Sequence, residues 1–463
     1  MMYIIAFNTY STNCPTKSKI GAFNDATYNG SGVGSGDGFI TIFDNNGVQK
    51  WASYFGSSDG DDIGGIAVGL DKFFIHGDSG GHLVGNTPCD VPTNGGFPLC
   101  DFAGSSDYFD NHTTNDPGFI VGKGFITEFD DSYSMVWSTF FGGNIDAGSD
   151  GASTFPNSGG ISVYQTETEL TIYVTGAILG TQSNTSGCSA VTGSNQIPLC
   201  GRPNNVNVAP PSGSIASLYI ARFGINRDLQ WSTFYSGGGT RLAGIRVNVN
   251  DNGIFVAGNA AFGGFTALGN PNLYNQSLQK GQQDPALIAY DFTTLQPIWA
   301  TTYGGTDNQN FPIEEANDFI SVNNQLYLVG RGFSLDFPFN CDKNINFCRD
   351  DTDYLGSYLL SDGFITRFDL VNLYNNTNKI DKSNNIHIFP NPTTDKININ
   401  IEENNLKEGQ ITVYNLLGQI VQSINNQNLQ NDFSIDVSHL KQGVYFLVIE
   451  TNSQYYSQKF IKN

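Results

Sequence analysis

Basic residues are scarce in this chain. Lys and Arg together number 22 against 43 Asp and Glu, for a formal charge of −21 over 463 residues. Without a basic stripe there is nothing to neutralise phosphates, which excludes nucleic acid as a partner. Long apolar runs are missing as well: no stretch approaches 18 consecutive apolar residues, so no transmembrane segment is expected. Histidine is sparse, at five residues. No HExxH, GxSxG or P-loop pattern occurs, so no catalytic residue is singled out. The opening MMYIIAF has no basic n-region, and its apolar run is too short for a signal peptide. What the chain has instead is 54 Gly and 13% aromatic residues, the composition of a turn-rich all-β protein.

The aromatic residues recur in order. GFITIFDNNGVQKWASYFG (38–56) returns as GFITEFDDSYSMVWSTFFGG (124–143), LYIARFGINRDLQWSTFYSGG (218–238) and ALIAYDFTTLQPIWATTYGG (286–305), with a truncated copy at 363–376. Each copy alternates apolar and polar residues, turns through Asp, Asn or Gly, and continues into a Trp strand, which reads as a hairpin. Two further strands follow each hairpin, such as GGIAVG with KFFIHG and GGISVYQ with LTIYVTG. Four short antiparallel strands repeating in fixed order predict a β-propeller. Counted from the innermost strand, about five blades are visible: 3–56, 63–143, 159–238, 242–305 and 317–375. The first lacks its opening strand, since YIIAFN matches the second strands of the others. That predicts a precursor longer at its N-terminus.

In this phasing the connections 9–37, 78–123, 177–216, 259–284 and 331–362 are long and share one face. Long loops on a rigid scaffold either carry recognition or cap the ring. Six of the seven Cys lie in them as close pairs, Cys89/Cys100, Cys188/Cys200 and Cys341/Cys348. No zinc spacing is present, so local disulfides in an oxidising, extracytoplasmic setting are expected. Cys14 has no visible partner. Acids also gather there: Asp59, Asp61 and Asp62 in GSSDGDDIGG are candidate calcium ligands, although the spacing is not that of an EF-hand loop. A solvated acidic surface is the other reading, and no cofactor is required. The letters GDSGG (77–81), with His76 and His82 nearby, resemble a serine-protease nucleophile. Their place at a strand exit makes a Gly-rich turn the simpler reading. Exposed aromatics on the loop face, Phe97, Tyr108, Phe109 and Tyr274, would favour stacking against a glycan.

Composition changes after Asp369. Residues 376–385 are Asn-, Lys- and Ser-rich and read as a linker between a repeat domain (1–375) and a small β-sandwich (386–463). FPNPTTDKININI, VYNLLGQIV, IDVSHLKQGVYFLVI and the terminal QKFIKN resemble the type A C-terminal sorting domain of the Por (type IX) secretion system of Bacteroidetes. By position, Pro390, Asn391 and Pro392 match its opening motif. Leu440, Gly443, Val444 and Tyr445 match its L-x-x-G-x-Y core, and Lys459 to Lys462 its basic tail. The resemblance implies delivery by the type IX machinery to the outside of the cell, with release or surface tethering. WSTFFGG, DGFI and IYVTG similarly resemble the SBBP-type propeller repeat of bacterial surface proteins, which implies a fold and no activity. Three functions remain open: a binding or adhesion module for a glycan, polymer or protein; a hydrolase using loop carboxylates; and a surface scaffold.

Overall fold

The computed structural model describes residues 2–30, 36–80, 83–102, 106–111, 121–146, 159–166, 169–179, 183–184, 188–189, 197–201, 216–235, 241–261, 265–270, 273–306, 314–322, 324–334, 336–338, 362–370, 373, 386–401, 409–415, 420–426, 432–451 and 455–463. Among them there is no helix. Two compact units emerge, Met1–Leu373 and Tyr374–Asn463.

In the first unit, β1 (Met2–Thr9), β2 (Asp37–Asp44) and β3 (Gln49–Phe55) form one sheet in that order. β4 (Asp61–Gly69), β5 (Lys72–Ser79), β6 (Val121–Phe129) and β7 (Met135–Asp146) form the second. The third joins β8 (Gly160–Gln165), β9 (Leu170–Leu179), β12 (Ala216–Phe223) and β13 (Leu229–Tyr235); β10 (Ser183–Asn184) and β11 (Ile197–Pro198) make a short parallel pair between them. β14 (Arg241–Asn250), β15 (Gly253–Ala261), β16 (Gln283–Tyr290) and β17 (Pro297–Thr302) form the fourth; β18 (Glu315–Val322), β19 (Gln325–Gly332) and β20 (Asp362–Asp369) the fifth. The all-β reading and the four-strand unit therefore hold. The first sheet starts at the second strand of the repeat, and the fifth has no described Trp strand.

First strands of successive sheets lie side by side: β4 against β8, β8 against β14, and β14 against β18, with β1 beside β4. No comparably extensive contact joins the fifth sheet to the first among the described residues. Between sheets, aliphatic and aromatic residues from facing strands form continuous cores, as with Phe55, Phe73, Ile75 and Phe129 between the first and second.

The described parts of the first four long connections turn back along the Trp strand and pair with its open edge. The residue after each Trp bonds a loop residue: Ala52 exchanges backbone hydrogen bonds with Lys17, Ser138 with Cys100 and Ala300 with Leu268, while Ser232 donates to the Cys200 carbonyl. The indole N–H then donates to a loop carbonyl, Trp51 to Phe23 (2.8 Å), Trp137 to Tyr108 (3.1 Å) and Trp299 to Tyr274 (3.0 Å). One residue further on, the hydroxyls of Ser53, Thr139 and Thr301 each accept from the backbone N–H of a loop residue, Asp25, Asp110 or Gln276, at 2.8 Å. An edge strand left bare would invite pairing with another chain; here the loop occupies it.

Hairpin turns also reach between sheets. The first turn has Gly47 with φ +77°, and the same place is taken by Tyr133 (+68°), Arg227 (+63°) and Leu295 (+57°). A side chain in the left-handed region is costly, and Tyr133 and Arg227 pack on the preceding sheet in return. Tyr133 lies 5.5 Å from the Trp51 ring, and Arg227 Nε donates to buried Glu128 at 2.6 Å. The sequence reading missed this, because nothing in a turn sequence shows what its side chain will touch.

In the second unit, β21 (Ile386–Phe389), β22 (Lys396–Ile401), β23 (Gly409–Asn415), β24 (Ile420–Asn426), β25 (Asp432–Asp436), β26 (Gly443–Thr451) and β27 (Tyr455–Lys462) form two sheets, β21-β22-β25 and β24-β23-β26-β27. They enclose a core of Ile397, Ile399, Ile411, Val413, Ile435, Leu447, Ile449 and Phe460.

Replacing Trp137 with Phe keeps an aromatic ring but strands the buried Tyr108 carbonyl. The cost expected is about 2 kcal/mol, read as a lower urea midpoint; an unchanged midpoint would mean the loop is not held by that bond.

Candidate functional site: acids gathered by the returning loops

Because the loops fold inward, they bring polar side chains onto the strand ends. The structure joins Cys89 to Cys100 and Cys188 to Cys200. Cys100 and Cys200 are the residues that pair with the Trp strand, so each bridge anchors a loop where it meets the sheet edge. Cys341 and Cys348 lie outside the described residues, and Cys14 is a free thiol. Beside the second bridge lies a cavity of about 410 Å³. Asp101, Asp107 and Asp228 line it with Ser106, Ser189 and Phe109, and Tyr108 and Cys188 also contribute. Burial, then the charge of Asp107, raises the Asp101 carboxyl above its ordinary value. Beneath, Arg227 spans the Phe102 ring (4.4 Å) and the Glu128 carboxylate, which also takes Lys72 at 2.8 Å.

A second set of acids repeats from sheet to sheet. The residue opening the third strand meets the loop residue held by the Ser/Thr hydroxyl. Lys123 Nζ sits 2.7 Å from Asp110 Oδ2, and Gln276 Nε2 donates to Asp284 Oδ2 at 3.0 Å. In the first sheet both partners are acids: Asn29 bridges them, its Nδ2 donating to Asp25 Oδ2 (2.9 Å) and its backbone N–H to Asp37 Oδ2 (2.6 Å). The next sheet's first strand adds a carboxyl at the same repeat position, Asp61 in one junction and Glu314 in the other. A Cβ placed on Gly56 would lie 2.8 Å from Asp61 Oδ2 and 3.0 Å from Asp37 Oδ1. Asp37 Oδ1, Asp61 Oδ1 and Glu314 Oε2 are buried without a hydrogen-bond partner. Desolvation accordingly pushes Asp37 up to about 6, Asp61 to about 7 and Glu314 to about 7, with neighbouring acids adding to each.

Asp59, Asp61 and Asp62 are not brought together as a chelate. Neighbouring strand residues point to opposite faces. Asp61 pairs across the ladder with Ser79 and accepts from Ser57 Oγ at 2.9 Å, whereas Asp62 pairs with Asp78 on the other face. Asp78, which keeps part of its surface exposed, is raised to about 8 by desolvation and then by Asp62 and Asp61. Among the described residues no three His, Cys, Asp or Glu side chains are placed to hold a metal ion.

The same alternation disposes of the protease-like GDSGG. His76 and Ser79 lie on opposite faces of β5. His76 is buried between sheets, with Nδ1 2.5 Å from the Phe125 carbonyl and Nε2 3.2 Å from the Tyr219 hydroxyl. Nε2 also lies 3.1 Å from the Thr175 carbonyl, so the ring is held on both sides by backbone and hydroxyl groups, and desolvation lowers its pKa below the ordinary value. The aromatics considered for glycan stacking divide. Phe97 and Tyr108 belong to the core, Phe109 is half-buried, and Tyr274 is exposed with its ring against Tyr303 (5.4 Å). The reason is that the loops lie along the sheets rather than above them.

In the second unit Leu440 and Tyr445 are buried, Tyr445 stacking on Phe460 at 5.6 Å and donating to the Lys441 carbonyl at 2.8 Å. Asn391 clasps β27, donating to the Lys459 carbonyl (3.1 Å) and accepting from Ile461 N–H (2.9 Å). Gly443 is uncrowded and Val444 half-buried; Pro390, Pro392 and Lys459 are exposed, whereas Lys462 is buried.

Residues 387–463 match the family described as the secretion system C-terminal sorting domain. A chain bearing this tail is secreted or displayed at the cell surface, and the tail implies interaction with the type IX machinery. No helix among the described residues is long and apolar enough to cross a membrane. Curated proteins give no match. Among solved structures, the GH32 beta-fructofuranosidase of Bombyx mori aligns over 100% of this chain and 84% of its own, at 9% identity and a TM-score of 0.27. A sucrose-6-phosphate hydrolase from Lactobacillus gasseri aligns over 96% and 86%, at 10% identity and 0.25. At these scores the likeness carries no argument.

The raised carboxyls fix the sign of a pH effect. The folded state holds protons that the unfolded chain releases near pH 4, so stability is full below that value and falls as pH rises towards 7. The first unit is expected to lose on the order of a few kcal/mol between pH 4.5 and 7.5. Asp61→Asn, which keeps the amide where the neutral acid stood, should flatten that slope in urea titrations; an unaltered slope would place the protons elsewhere.

Proposed function

We propose that this is a β-propeller binding protein of the SBBP-like kind, made of a repeat domain (1–375), a linker (376–385) and a removable sorting domain (386–463), exported by a Bacteroidetes-type route. The side-by-side first strands of successive sheets support the radial arrangement. The sorting motif is assigned to Pro390, Asn391, Pro392, Leu440, Gly443, Val444, Tyr445, Lys459 and Lys462. Ligand is taken in the cavity beside the Cys188–Cys200 bridge, and its chemistry is that of a hydroxyl-rich chain, a glycan. The observation that carries this reading is the lining itself. Three carboxylates accept hydrogen bonds from hydroxyls, two serines both donate and accept, and half-buried Phe109 offers an apolar face to a sugar ring.

A glycan array followed by calorimetry tests it. Asp107→Asn and Phe109→Ala should each weaken the best binder about tenfold or more, with the fold unchanged by circular dichroism. Equal affinity in both variants would remove the cavity from consideration. Hydrolysis is the second reading, supported by Asp101 standing beside Asp107, two neighbouring carboxyls of which burial and the other's charge raise one, the ingredients of a general acid and its partner; release of reducing ends by purified protein would identify it. Deleting 387–463 should leave the repeat domain in the periplasm, measured by fractionation of an exporting host, whereas continued secretion would assign export to another segment.

A further inference from the structure

Three carboxyls stand in a row where the first sheet and its loop meet the second sheet: Asp25, Asp37 and Asp61 are 4%, 0% and 2% exposed. Asn29 ties the first two together, and the charge of Asp37 is felt at Asp61. Among the described residues no Lys or Arg forms an ion pair with any of them. The neighbouring repeat shows what balances this place. There Asp110 stands for Asp25 and Lys123 for Asp37, with the ammonium 2.7 Å from the carboxylate. The first repeat has a second acid where that ammonium would be. Two oxygens record the deficit. Asp37 Oδ1 and Asp61 Oδ1 are buried and accept nothing, although the other oxygen of each carboxyl is held, Asp37 Oδ2 by the Asn29 N–H and Asp61 Oδ2 by the Ser57 hydroxyl. Gly56 leaves the gap between them open, since a methyl there would lie 2.8 Å from Asp61 Oδ2 and 3.0 Å from Asp37 Oδ1.

We infer that this junction is a cation site, and that the ion is calcium, held by Asp37 and Asp61 from two different sheets. A hard cation suits carboxylate oxygens, and calcium tolerates an irregular shell in which backbone carbonyls and water supply the remaining ligands. One ion satisfies both bare oxygens and supplies the positive charge that Lys123 brings to the second repeat. It also clamps the third strand of the first sheet to the first strand of the second, so its effect falls on stability. With two carboxylates the affinity belongs at the weak end of the calcium range, about 0.1–1 mM, where extracellular modules work. Of the acids that lie together in GSSDGDDIGG only Asp61 takes part; its partner comes from the preceding sheet. The inference is independent of the glycan reading, because the cavity lies between the second and third sheets.

The full chain is stripped with EDTA, dialysed at about pH 8, where both raised carboxyls are ionised, and melted with tryptophan fluorescence as the readout. Calcium chloride at about 5 mM should raise the midpoint by about 2 °C or more over sodium chloride of equal ionic strength. Asp61→Asn should raise the half-saturating calcium concentration at least about tenfold, while Asp71→Asn, in an exposed turn, leaves it unchanged. Asp37→Lys separates a lost site from a lost fold. It gives the first repeat the ammonium of the second, so this chain should melt above the calcium-free wild type and ignore calcium. A wild-type midpoint indifferent to calcium would overturn the inference, as would a rise that survives in Asp61→Asn or Asp37→Lys.

Discussion

Everything in the repeat unit depends on what is done with the outer edge of the Trp strand. A short twisted sheet that ends in Trp, Ser or Thr and an aromatic pair presents unpaired N–H and C=O groups to water on one side. The chain answers by returning the first four long connections along that edge. Lys17, Cys100, Cys200 and Leu268 meet the residue after the Trp, and the indole N–H reaches a carbonyl further along the same loop. The disulfides belong to this arrangement. Cys100 and Cys200 are fixed to the edge by backbone bonds, so the bridge fixes the far limb of the loop to the sheet as well.

Once the loops lie against the sheets, the burial of acids follows. Asp25, Asp110 and Gln276 are drawn to the top of the third strand, where they face Asp37, Lys123 and Asp284. Among the described residues only the second sheet supplies a cation there. In the junctions containing Asp61 and Glu314 two carboxyls share a desolvated space, and retaining a proton replaces the missing countercharge. The strongly negative composition thus has an internal part, held partly neutral, as well as the solvated surface part. The cavity at Asp101, Asp107 and Asp228 stands between these extremes, with acids that are gathered but still reach solvent.

Much of this was legible in the chain because it is periodic. A repeat of aromatic hairpins with two strands between them fixes sheet size and order, and close Cys pairs fix which residues can bridge. Where the period stops, legibility stops. Phe97 and Tyr108 sit in loops whose composition is polar, so nothing local shows that they fill the core. Asp59, Asp61 and Asp62 look like one cluster when written in a row, but a strand sends neighbours to opposite faces. Tyr133 and Arg227 occupy a turn position that glycine fills in the first copy, and only the neighbouring sheet explains why a side chain is worth its backbone strain.

The sequence by itself determined the all-β class, the four-strand unit and the sorting tail, because each is written as local pattern or contiguous motif. Tertiary structure alone decided which acids face one another and which loop residues seal an edge. Those properties depend on residues far apart in the chain, and the pairing of sheets, rather than any local preference, sets the distance between them.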